Sequence, residues 1–220
     1  MNIFDIIGPV MIGPSSSHTA GAARIGYISR VLLNEDVLDA KVYLHGSFAN
    51  TGSGHGTDKA IIAGLLGMKP HDERLPESFE IAKTRNLNVK FENVEIDDAH
   101  PNTVAIFLTG INGKKISVQA SSVGGGNIEI NKIDGKAIGF SGRSPTIIVE
   151  HNDVPGTIAN ITRMTGKNGY NIFQINIKRE KKGGKSIMTM ELDGKAVDEN
   201  IRDVLMKIDN VINVIILQPY

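Results

Sequence analysis

From Thr146 to Leu217 the hydrophobic pattern switches between a strand period and a helical period in an order that few folds accept. Thr146 to Glu150 reads as a strand. Asp153-Val154-Pro155-Gly156 then supplies a helix N-cap, with proline close to the first helical position. Ile158, Ile161 and Met164 follow at helical spacing, and Gly169 ends the helix. Strands are predicted near 171–180 and 186–192, a helix at 198–207 and a strand at 211–217. The order βαββαβ is the ferredoxin-like pattern. The basic cluster Arg179-Glu180-Lys181-Lys182, beside Gly183-Gly184, reads as a solvated hairpin tip.

Upstream, a break is predicted at Ser141-Gly142-Arg143-Ser144-Pro145, giving domains at 1–143 and 146–220. The first reads as mixed α/β. Helices are predicted near 19–33 and 57–67, and strands near 39–45, 87–96, 103–109, 115–122, 127–133 and 136–140. Asn112-Gly113 and Asp134-Gly135 sit between strand-like runs as hairpin turns. Lys69 to Asn86 is polar, carries Pro70 and Pro76, and predicts a loop with at most one short helix. Gly124-Gly125-Gly126 lies between two strands, so it predicts a bulge or wide turn and not a nucleotide loop.

Two polar clusters carry the chemistry. Gly13-Pro14-Ser15-Ser16-Ser17-His18-Thr19-Ala20-Gly21 places four hydroxyls and an imidazole before a run with Ala20, Ala23, Tyr27 and Val31 at helical spacing. That order predicts a capped helix entrance, where unpaired N–H groups suit a carboxylate or phosphate. A plain helix cap with a surface histidine uses the same residues. Gly46 to Lys59 reads as a second entrance: a glycine-rich loop carrying Ser47, Thr51 and His55, then Thr57 or Asp58 as cap of a helix. Its spacing matches neither a P-loop nor a dinucleotide fingerprint. Of the other histidines, His45 reads as structural, His71 and His100 as loop residues beside prolines, and His151 as a surface residue before the Asp-x-Pro-Gly turn, with an effector contact as the alternative. No two histidines stand at the i, i+4 spacing of a helical zinc site.

Both clusters, GPSSSHTAGAARIG and GSFANTGSGHGTDKAIIAGLLG, closely resemble the beta chain of bacterial iron-sulfur L-serine dehydratase (L-serine ammonia-lyase), as do Ser121 to Asn127 and the C-terminal region. The resemblance implies a subunit that helps convert L-serine to pyruvate and ammonia, in amino-acid catabolism and gluconeogenesis. Its cofactor is a [4Fe-4S] cluster, whose iron acts as Lewis acid on the substrate hydroxyl while a base takes the α-proton. On this reading Ser15, Ser16, Ser17 and Thr19 bind the substrate carboxylate, Ser47 and Thr51 are secondary contacts, and His18 and His55 are the proton-transfer candidates. Which of the two is the base stays open, and a partner chain is a third source. The 146–220 segment resembles an ACT domain, a module that binds amino acids or pairs subunits. In that family the turn holding Asn152, Val154 and Gly156 faces the ligand.

Composition narrows the rest. Among 220 residues, 24 are basic and 24 acidic, and no basic stripe stands out, so nucleic-acid binding has little support. No apolar run approaches the ~20 residues that span a bilayer, and Met1 onward lacks a signal-peptide pattern, which predicts a cytoplasmic chain. The chain has no Cys. Such clusters are held by cysteine thiolates, so the resemblance implies a separate, Cys-bearing alpha chain and no metal ligand here. A different class, a regulatory subunit without a catalytic group, would resemble the allosteric domain of some phosphoglycerate dehydrogenases.

Overall fold

A computed structural model describes residues 10–194 and 196–219. The signal-peptide question falls largely on residues 1–9, outside that range. The chain divides into two compact units, one ending at Gly135 and one beginning at Lys136.

In the first unit a π turn, Ser16–Gly21, runs straight into helix α1 (Ala22–Leu33). Then come β1 (Val37–Leu44), α2 (Ser47–His55), α3 (Thr57–Leu65), a short 3-10 turn at Leu75–Glu77, and α4 (Ser78–Thr84). Strands β2 (Asn88–Asn93), β3 (Thr103–Gly110), β4 (Lys115–Gly124) and β5 (Asn127–Ile133) complete it. The sheet order is β2-β1-β3-β4-β5, with β1 parallel to β2 and antiparallel to β3. Period-two burial sorts the side chains: Val104, Ile106 and Leu108 are buried while Phe107 faces solvent. Helix α1 packs on β3, β4 and β5, and α3 packs on α1.

That double contact explains why the predicted stripe on α1 was too narrow. Ala20 and Ala23 are buried as expected, but Tyr27 and Val31 are only half-buried. The main payload is Ile25, Ile28, Leu32 and Leu33, which serve two neighbours at once. Full burial of each such side chain is worth about 1.5–3 kcal/mol.

The glycine-rich stretch departs from expectation. Ser47–His55 is a helix, and the break before α3 is Gly56 alone, at φ 70°. Neither Thr57 nor Asp58 caps α3: Gly56 holds the cap position without a side-chain bond. Low helix propensity is overridden because Phe48 is fully buried and the Ser47 N–H donates to the Pro101 carbonyl at 2.7 Å, which anchors the first turn. The wide turn at Gly124–Gly126 is as read, all three residues having positive φ, and Asp134 and Gly135 take the paired positive φ of a two-residue turn.

The second unit holds β6 (Lys136–Phe140), β7 (Thr146–Asn152), α5 (Thr157–Lys167), β8 (Ile172–Arg179), β9 (Lys185–Leu192), α6 (Asn200–Met206) and β10 (Val211–Leu217). From β7 onward this is βαββαβ, with sheet order β10-β7-β9-β8 and antiparallel neighbours throughout. Ile147, Val149, Ile161, Met188, Met190, Leu205 and Val214 form its core. Asp153 does not cap α5; Gly156 does, at φ 89°. The Asp153 carboxylate instead accepts from Arg179 Nη1 at 2.9 Å and from the Gly183 N–H at 3.1 Å, because the β8–β9 hairpin offers a cation the cap position lacks. Edge strand β8 leaves Phe173, Ile175 and Ile177 exposed. Among the described residues no helix is long and apolar enough to cross a membrane.

Candidate functional site

Ser15, extended at φ −136°, caps the π turn: its hydroxyl accepts from the His18 N–H at 3.2 Å. A π turn packs more residues per turn than an α-helix and is found frequently at functional sites. Here it seats His18 against the start of α2. The turn lies close on β4, since a methyl group added at Gly21 would fall 2.2 Å from Ser122 Oγ. On the other side, the His45 N–H donates to Thr103 O and the Ser47 N–H to Pro101 O, so the β3 entrance fixes where α2 begins.

These elements bring five of the expected residues together. The His18 Nε2 lies 3.1 Å from Ser47 Oγ and 3.1 Å from Thr51 Oγ1, and Nδ1 lies 3.4 Å from Ser15 Oγ. The His55 ring stands 5.0 Å from the His18 ring, and Phe48 meets it edge-on at 5.3 Å. Burial lowers the His18 pKa from its ordinary value of 6.5; a hydrogen bond to Ser47 opposes the shift, and the charge on His55 adds to it. The imidazole is therefore neutral at neutral pH, the state a base requires.

Thr19 is buried and faces elsewhere, donating to the His55 carbonyl at 3.3 Å. It shares a cavity of about 240 Å³ with Gly13, Gly54, His55, Gly56 and Lys59. The Ser16 and Ser17 side chains are half-buried. Phe48 and Lys59 were not singled out from sequence, although both lie inside the second cluster. An aromatic packing on an imidazole and a cation beside it leave no periodic signal. Two larger hollows, of about 500 and 860 Å³, lie over Tyr43, Phe107 and Lys115 and along α4 and β2. Neither includes His18 or His55.

The remaining histidines separate. His71 and His100 lie outside helix and strand, as read, and are exposed. His45 is buried, and its Nδ1 accepts from the Ile96 N–H at 3.1 Å, a structural role. His151 corrects the surface reading: it is 1% exposed, because strand alternation puts it on the face of Ile147 and Val149. In the same turn the Asn152 N–H is bonded to Asn210 O and the Val154 N–H to Asn152 O, while Gly156 caps α5. Among the described residues no three of His, Asp and Glu gather as a metal site.

Residues 2–75 match the family model described as serine dehydratase beta chain, and residues 147–215 match an AHAS small subunit-like ACT domain. The chain is 42% identical to a probable L-serine dehydratase, beta chain, from Bacillus subtilis (strain 168), over 97% of this chain and 96% of that one. It is 38% identical to the L-serine dehydratase, beta chain, of Peptoniphilus asaccharolyticus, over 94% and 93%. A D-3-phosphoglycerate dehydrogenase of Bacillus subtilis (strain 168) is 24% identical over 88% of this chain and 36% of its own length.

Proposed function

The chain belongs to the L-serine dehydratase beta-chain family, and from that premise we propose that it acts as one subunit of an L-serine ammonia-lyase, with a Cys-bearing alpha chain, to convert L-serine to pyruvate and ammonia. The [4Fe-4S] cluster belongs to the alpha chain in this reading. With no Cys, this chain does not fit as its ligand set, and no step is assigned here to the cluster.

What this chain contributes is a place for the substrate and a base. The observation that carries the reading is His18: a buried, neutral imidazole held by two hydroxyls of α2 and by that of Ser15, with a second imidazole 5.0 Å away. His18 takes the α-proton, and His55 serves the second proton transfer. In this reading Ser15, Ser16 and Ser17 bind the substrate carboxylate, while Thr19, bonded to the His55 carbonyl, helps hold His55. The 146–220 unit pairs subunits through its ACT fold, and Asn152, Val154 and Gly156 are the positions for an amino-acid effector.

The test is anaerobic co-expression with the alpha chain and assay of pyruvate from L-serine. The pair should turn over and this chain alone should not. His18→Ala should lower kcat by about 10²-fold or more, the usual worth of a general base. Turnover by the isolated chain would sink the two-chain reading. Full kcat in both His18→Ala and His55→Ala would make the chain a regulatory subunit instead.

A further inference from the structure

The hydrogen bonds around His18 decide which of its nitrogens can act. Thr51 has one hydroxyl proton, and it is spent on the Ser47 carbonyl, one helical turn back, at 2.9 Å. Thr51 Oγ1 therefore meets His18 Nε2 at 3.1 Å with only lone pairs to offer. That contact is attractive only if Nε2 carries the ring proton. Ser47 Oγ, at 3.1 Å from the same nitrogen, shares it as a second acceptor. On the opposite side the bookkeeping agrees. Ser15 Oγ already accepts from the His18 N–H at 3.2 Å, so its own proton is free to point at Nδ1. That contact, at 3.4 Å, is the longest of the three ring contacts and the cheapest to displace.

We infer that Thr51 and Ser47 are positioning residues that fix His18 as its Nε2–H tautomer, so that the base nitrogen is Nδ1, facing Ser15. This rests on the proposed lyase reading and reassigns both residues from substrate contact to control of the imidazole. In the elimination, the α-proton moves to Nδ1. The Cα–H electron pair becomes the Cα–Cβ π bond, and the Cβ–O pair leaves with the hydroxyl. The imidazolium so formed keeps its Nε2–H on the same two oxygens, which needs no rearrangement. Fixing one nitrogen by the bond the other makes is the general device for setting a histidine tautomer.

The experiment uses the full chain with ¹⁵N-labelled histidine and two-bond ¹H–¹⁵N spectra at about pH 7.5, above the ordinary histidine pKa. The His18 signals are identified by their loss in His18→Gln. The wild type should show the Nε2–H pattern; an Nδ1–H pattern overturns the inference, whether or not the chain supports catalysis. Thr51→Val should mix the tautomers and Thr51→Ser should restore one; an unchanged spectrum in a folded Thr51→Val also overturns it. In the complex with the alpha chain, Thr51→Val should lower kcat by about 10- to 100-fold, as loss of an orienting partner does, and leave KM within about twofold. A raised KM with full kcat would return Thr51 to substrate contact. Absence of any serine turnover in wild type would sink the lyase reading and leave the tautomer result standing.

Discussion

As the proposed base, His18 sits where two opposite demands meet: a base must be reachable, yet it must stay unprotonated. Burial supplies the second, lowering its pKa from 6.5. The sign of the stability effect follows. Below 6.5 the unfolded chain binds a proton at this position that the folded chain resists, so the folded state loses stability as pH falls through that range and gains nothing further above it. Urea unfolding of wild type and His18→Gln from about pH 8 down to 5 should show a shallower slope in the variant; identical slopes would mean that His18 is not held neutral. The identities of His18, His55, Ser15, Ser47 and Thr51 were legible in sequence, because hydroxyls and imidazoles clustered beside helix starts are an unusual pattern. Their arrangement was not. Residues 15–18 and 47–55 meet through the pairing of β3 and β4 and the packing of α1 on α3, and nothing in the spacing says which hydroxyl touches which nitrogen.

Among the elements, the second unit was the more readable. The strands from β7 to β10 are β-branched or apolar runs bounded by turn residues, α5 carries a helical period, and β10 occupies 211–217, as read. The site helices were harder. A stretch holding Gly46, Gly52, Gly54 and Gly56 looks like a loop by propensity, yet Phe48 and the Pro101 contact make most of it helical. The glycine that does break the chain is Gly56, at φ 70° with nothing within 4 Å of an added Cβ. Gly56→Ala therefore meets no clash and carries only the left-handed backbone cost, about 1–2 kcal/mol. Equilibrium unfolding measures it, and a variant as stable as wild type would show that the α2–α3 joint tolerates another geometry. His151 was misread for the complementary reason: one position from a turn, it still obeys the strand's alternation.

For the whole molecule, the exposed stripe on β8 sets an expectation about assembly. An edge strand with Phe173, Ile175 and Ile177 open to solvent is a surface that pairs readily with a second copy about a two-fold axis. Light scattering of the full chain should give at least a dimer, and Ile175→Lys with Ile177→Lys should reduce its size; an unchanged oligomer would place the interface elsewhere. The first unit has a different global property. Its motif residues lie between 15 and 59, but the groups that seat them, Pro101 O, Thr103 O and Ser122, arrive much later in the chain. From Thr51 to Ser122 is 71 residues, roughly 4–14 s of synthesis at about 5–20 residues per second. A ribosome thus releases the imidazoles well before their seat exists. During that interval the nascent chain carries both imidazoles without the neighbours that seat them, and their arrangement comes into being only once β4 has emerged and closed beneath the π turn.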